Sequence, residues 1–130
     1  MTSTPRLTLS STTLDAPDAA ELARFYQALL GWRVTKNEQD WVEIAPPGGT
    51  TGLAFQTESA YRRPRWPGTP ADQQMMMHLD IEVDDLPAAV AHAVALGATV
   101  ADFQPQEDVR VLLDPAGHPF CLYIGTEHAE

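Results

Sequence analysis

The feature that most constrains this chain is one short pattern that occurs twice: a strand-like run, an aspartate, a helical period of apolar side chains and a closing glycine. Asp18 precedes Leu22, Phe25, Tyr26, Leu29 and Leu30, which recur at helical spacing, and Gly31 ends the run. Asp84 likewise precedes Leu86, Val90, Val94 and Leu96, with Gly97 behind them. Asp18 to Gly31 and Asp84 to Gly97 are both thirteen residues apart, at an offset of sixty-six in a chain of 130 residues. Glu21, three residues after Asp18, has the spacing of a capping box in which aspartate replaces serine. A glycine closes such a helix well because it enters the left-handed region without a Cβ penalty.

Strand-like segments flank both helices in the same order. Residues 7–13 are rich in β-branched and small polar side chains, and the turn-like Asp15-Ala16-Pro17 closes them. After the first helix, residues 32–35, 41–44 and 52–56 read as strands split by turn-forming clusters. Residues 77–83 alternate cleanly before the second helix, and 99–103, 109–113 and 120–124 follow it. The chain therefore reads as α/β (α+β), an internal repeat of two tandem βαβββ modules. The expected organisation is one domain over 1–130, with module one about 5–57, a linker 58–75 and module two about 76–126.

Composition narrows the function classes. With 44% hydrophobic and 20% charged residues the chain can close a core. It contains no apolar run of the length that spans a bilayer and no apolar stretch after Met1, so a cytoplasmic protein with no membrane partner is expected. A single cysteine, Cys121, leaves no intrachain disulfide and fits a reducing compartment. Eighteen acidic against eight basic side chains give a net charge of −10, which repels nucleic acid and concentrates cationic small molecules. Residues 58–75 hold Pro64, Pro67 and Pro70 and the basic run Arg62, Arg63 and Arg65 beside Trp66. Two readings stay open for this segment, a lid over ligand and a solvated linker.

Phe25-Tyr26-Gln27-Ala28-Leu29-Leu30-Gly31-Trp32, the strand opening His78-Leu79-Asp80, and Asp114-Pro115-Ala116-Gly117-His118 together resemble the vicinal oxygen chelate superfamily of glyoxalases, bleomycin-resistance proteins and extradiol dioxygenases. The resemblance implies facing cupped sheets around a central cleft. Strand alternation then assigns side chains to it. If Leu79, Ile81 and Val83 pack under the second helix, then Met76, His78, Asp80 and Glu82 point the other way, as do Cys121 and Tyr123 of the last strand. Phe55 and Trp66 complete the expected ligand-binding set.

The resemblance also implies a divalent metal held by histidine and glutamate side chains in the metal-dependent members. His78 matches one such position, but Cys121 stands where the glutamate belongs, Ser11 or Thr12 fills a third and Gln56 offers only a neutral amide. No cofactor and no catalytic residue is therefore expected, a divalent metal being the alternative. His118 reads as structural, His92 lies on the second helix and His128 in the tail. The leading expectation is a small-molecule binding protein of the resistance type, working as a homodimer on an organic, aromatic or cationic ligand. The alternative is a metal-dependent lyase, isomerase or dioxygenase using His78 with Glu58, Asp80 or Glu82. No phosphate loop, nucleophile elbow or dinucleotide fingerprint is present.

Overall fold

The structure, a computed structural model, describes residues 5–49 and 51–125. His128 and the end of the expected second module lie outside the described residues. The chain divides into two compact units, residues 1–58 and 59–130. Each carries one βαβββ module, so the fold is α+β with two four-stranded sheets and two helices.

In the first unit β1 (Ser11–Ala16) leads into α1 (Ala19–Leu30), followed by β2 (Arg33–Glu38), β3 (Trp41–Ala45) and β4 (Gly52–Thr57). The sheet order is β1-β4-β3-β2, with β1 parallel to β4 and the other pairs antiparallel. The Asp18 carboxylate caps α1 by accepting from the backbone N–H groups of Ala20 and Glu21 (3.1 and 3.4 Å). Gly31 ends it at φ 71°. Leu22, Phe25 and Tyr26 then bury one helix face against Val42, Ile44, Leu53 and Phe55. Tyr26 stacks on Phe55 at 5.8 Å, a contact worth about 0.5–1.5 kcal/mol beyond its area burial.

β1 begins and ends later than alternation alone suggests. Parallel pairing with β4 runs from Ser11↔Gly52 to Ala16↔Thr57, so the turn-like Asp15 lies inside the strand. Its carboxylate accepts from Gln56 Nε2 at 2.7 Å, a cross-strand bond that replaces the local turn.

The second unit repeats the order with β5 (Leu79–Val83), α2 (Leu86–Leu96), β6 (Thr99–Val100), β7 (Val109–Leu113) and β8 (Pro119–Ile124). Its sheet is β5-β8-β7-β6, again with one parallel pair, β5 with β8. Here the cap is Asp85 rather than Asp84: its carboxylate accepts from Ala88 N at 3.0 Å. The reason is Pro87. A cap at Asp84 would face a proline nitrogen at the third helical position, where no N–H exists, whereas moving the cap by one residue offers Ala88. The helices accordingly differ by a residue, 12 against 11, and the equal aspartate-to-glycine spacing in the sequence is not an equal helix.

β6 is shorter than expected. Past Val100 the strand gives way to the side-chain amide of Gln104, which donates to Val111 O (2.9 Å) and accepts from Val111 N (3.0 Å).

If Asp85 is the cap, Asp85→Ala lowers stability by about 1 kcal/mol, and Asp84→Ala stays within about 0.5 kcal/mol of the parent. Urea unfolding of the two variants checks this; a reversed order would return the cap to Asp84.

Candidate ligand and metal site

The β5–β8 register builds the site. Leu79 lies opposite Phe120, Asp80 opposite Cys121, Ile81 opposite Leu122 and Glu82 opposite Tyr123. Because successive side chains alternate faces, Leu79, Ile81, Phe120 and Leu122 share one side of the sheet. Asp80, Cys121 and Tyr123 share the other, joined by His78 one step before the strand. On that second face lies a concavity of about 430 Å³. Asp80, Cys121 and Tyr123 contribute from the sheet, and Val109, paired across the hairpin with Tyr123, adds an apolar wall. Phe103, Pro105 and Gln106 border it from the chain between β6 and β7.

Trp66 supplies the remaining wall. Its ring stacks on the His78 imidazole at 5.1 Å and 22° and meets Phe103 edge-on at 5.2 Å. The segment that carries it is tied to the second unit at several points. Tyr61 donates its hydroxyl to Ala116 O at 2.7 Å, and Arg63 donates to Pro115 O at 3.3 Å. Arg63 also packs over Gly117, where φ is 96° and a Cβ would lie 2.6 Å from the guanidinium carbon. Further along, Arg65 N donates to Gln73 O (2.9 Å), and Thr69 donates through its N–H and hydroxyl to Asp72. That N–H, more than the nearby Arg65 and Arg62 charges, holds the Asp72 carboxyl below its ordinary value. The segment is thus held by several hydrogen bonds, although most of its side chains remain exposed.

His118 serves the same anchorage. Asp114, 2% exposed, accepts from the backbone N–H groups of Ala116 and His118 and sits 2.9 Å from His118 Nδ1. The Asp-Pro-x-Gly turn is thus held by a buried carboxylate, and His118 belongs to that turn.

Of the expected ligand-binding residues, the structure brings together His78, Asp80, Cys121, Tyr123 and Trp66. Met76 is 83% exposed and lies before β5 begins, outside the concavity lining. Phe55 is a correction: it is fully buried under α1 in the first unit, because Leu53 and Phe55 are the helix-facing residues of β4. Val109 and Phe103 were missed. The hairpin register set by the Asp114 turn places Val109 opposite Tyr123 and was available from the sequence; Phe103 had no such signal.

His78, Asp80 and Cys121 each offer a donor atom, and these atoms lie within 4.8 Å of one another. His78 Nε2 is 3.1 Å from Asp80 Oδ1. Tetrahedral zinc, with bonds of about 2.0–2.3 Å, keeps its donors roughly 3–4 Å apart, so small side-chain adjustments bring all three onto one ion. The donor set fits a thiophilic ion better than a hard one. Of the enzyme reading's other candidates, Glu82 is exposed on β5, while Glu58 closes the first unit with its N–H bonded to Ala16 O. Gln56 is engaged by Asp15.

Burial pushes the Cys121 thiol up from 9.0 to about 11, aided by the negative charge of Asp80 and by the hydrogen bond to its carboxylate. The metal-free site therefore favours the neutral thiol, the opposite of what a nucleophilic thiolate needs. This preference stabilises the fold below pH 9 and is lost as the pH rises through about 11.

The family model for a glyoxalase-like domain matches residues 11–123. The chain belongs to that family, within the vicinal oxygen chelate superfamily. No curated protein matches the sequence. Among solved structures, it resembles a glyoxalase/bleomycin resistance protein/dioxygenase family enzyme from Burkholderia phytofirmans PsJN, at 19% identity and a TM-score of 0.66, over 89% of this chain and 97% of that one. TnmS3, an antibiotic binding protein from Streptomyces sp. CB03234, matches at 18% identity and 0.63, over 95% and 100%. The fosfomycin resistance protein FosX from Mesorhizobium loti matches at 19% identity and 0.64, over 95% and 98%. At these identities the likeness is one of fold. Among the described residues no helix is long and apolar enough to cross a membrane.

Alkylation of Cys121 by iodoacetamide, followed in the presence of a chelator, should rise with a midpoint near pH 11. Asp80→Asn should move that midpoint down. A midpoint at or below 9.0, the ordinary thiol value, would mean that neither burial nor Asp80 governs the thiol.

Proposed function

We propose that the protein binds a small organic molecule, flat and cationic, in the concavity between Trp66 and the β5–β8 face. The observation that carries this reading is the combination of an aromatic wall and a single accessible carboxylate. Trp66, Phe103 and Tyr123 present ring surface, and the Asp80 side chain is 60% exposed at the same place. Aromatic faces attract planar and cationic groups, and a carboxylate in a largely apolar surround fixes the orientation of a positive charge. The net charge of −10 favours the same ligand class at long range. That TnmS3, an antibiotic binding protein, has this fold supports a small-molecule binding role.

A second reading, a metal-dependent lyase, isomerase or dioxygenase, is favoured by the His78, Asp80 and Cys121 grouping. These three side chains would hold a divalent ion, which would supply Lewis-acid polarisation of a substrate oxygen. The protein's own contribution is then to hold the substrate against the aromatic wall and limit the access of water.

Titration with a planar cationic dye of the acridinium class and its neutral isostere tests the binding reading. Trp66→Ala should weaken both by about tenfold, the scale of a lost stacking and cation–π contact. Asp80→Asn should weaken the cation selectively. Equal affinity for parent and Trp66→Ala would remove the proposed wall from the binding site.

A further inference from the structure

We infer that His78, Asp80 and Cys121 form a binding site for a thiophilic divalent cation of the zinc type, selective against magnesium and manganese. The inference rests on the metal grouping of the second reading above and is independent of the organic-ligand reading, since ion binding is measured without any organic ligand or turnover.

Three observations converge. The donor atoms lie within 4.8 Å of one another, and the closest pair, His78 Nε2 and Asp80 Oδ1, is already at 3.1 Å. All three residues stand on one parallel strand pair or immediately before it, so the fold presents the grouping as a unit. Asp80 and Cys121 are register partners across β5 and β8, and His78 lies two residues before Asp80 on the same face. The His78 ring is also steadied by the Trp66 indole stacked on it, which limits the ways the imidazole can turn. The three atoms border the concavity, so an ion can enter from it and retain an open position towards it.

The chemistry of the donors sets the selectivity. The set is one imidazole nitrogen, one carboxylate oxygen and one sulfur. Magnesium and manganese favour oxygen donors, whereas thiolate favours zinc and its softer neighbours, and zinc is commonly held by three protein ligands with a fourth position open. On binding, the thiol proton leaves to solvent as the sulfur–metal bond forms, and the Asp80 carboxylate exchanges its hydrogen bond for coordination.

The test uses the untagged full chain. Cobalt(II) added to the parent protein should produce a thiolate-to-cobalt charge-transfer band. Cys121 is the sole cysteine, so the band assigns its own ligand without mutagenesis. Equilibrium dialysis should retain about one zinc per chain at micromolar free zinc, a stoichiometry expected of a three-ligand site. Millimolar magnesium or manganese should leave that zinc in place. Cys121→Ser should abolish the band, and His78→Gln should weaken zinc retention by about a hundredfold, with Asp80→Asn about tenfold or more. No charge-transfer band in the parent, no zinc retained, or displacement of zinc by manganese would each overturn the inference. The parent measurements stand even if a variant fails to fold. A dye that binds with zinc absent, or zinc that binds with no dye affinity, separates this inference from the organic-ligand reading.

Discussion

The parallel pairing of β5 with β8 is the constraint on which the second unit depends. It puts Leu79, Ile81, Phe120 and Leu122 on one side of the sheet and Asp80, Cys121 and Tyr123 on the other. A slip of one residue would exchange the two sets, burying a carboxylate and exposing a phenylalanine. Unfavourable burial of charge and lost apolar burial act together against that slip, so the same preference that closes the core also assembles the polar grouping. The site is the reverse face of the hydrophobic pattern. It needs no separate folding signal.

The Asp114 turn is the second fixed point. A buried carboxylate that accepts two backbone N–H groups and faces His118 makes a rigid corner between β7 and β8. Tyr61 and Arg63 then use the carbonyls of that corner, Ala116 and Pro115, as docking points. Once those bonds form, the chain that follows is directed so that Trp66 meets His78. The position of the indole is thus a consequence of backbone acceptors some fifty residues away in sequence. Several prolines along the segment reduce the entropy lost on ordering it.

What the sequence disclosed was whatever obeys local periodicity. The helix of the first unit, its aspartate cap and its glycine stop were legible because each acts within a few residues. So was the face shared by His78, Asp80, Cys121 and Tyr123, since strand alternation is local as well. Boundaries set by distant partners were not legible: Asp15 looks like a turn residue until Gln56 is beside it, and β6 looks longer until Gln104 takes its place. Phe55 illustrates the converse error, since an aromatic on a strand carries no mark of which face a helix will cover. The path of the proline-rich segment was not legible for the same reason, since its hydrogen-bond acceptors lie in another part of the chain. The proximity of Asp80 to Cys121 is a matter of register between strands about forty residues apart, and composition gives no hint of it.

The side chain of Gln104 bears on a different property, the behaviour of the molecule among many copies of itself. A sheet that ends in a two-residue strand leaves its next strand exposed as a template on which foreign chains can hydrogen-bond. At Val111 the N–H donates to the Gln104 amide oxygen and the carbonyl accepts from both the Gln104 amide and the Ala101 N–H, so a side chain imitates a neighbouring strand there. Arg110 acts similarly by turning its guanidinium onto the carbonyls of Glu107 and Val109. A foreign strand approaching this edge therefore meets side chains in place of free backbone groups at Val111 and at the Val109 carbonyl.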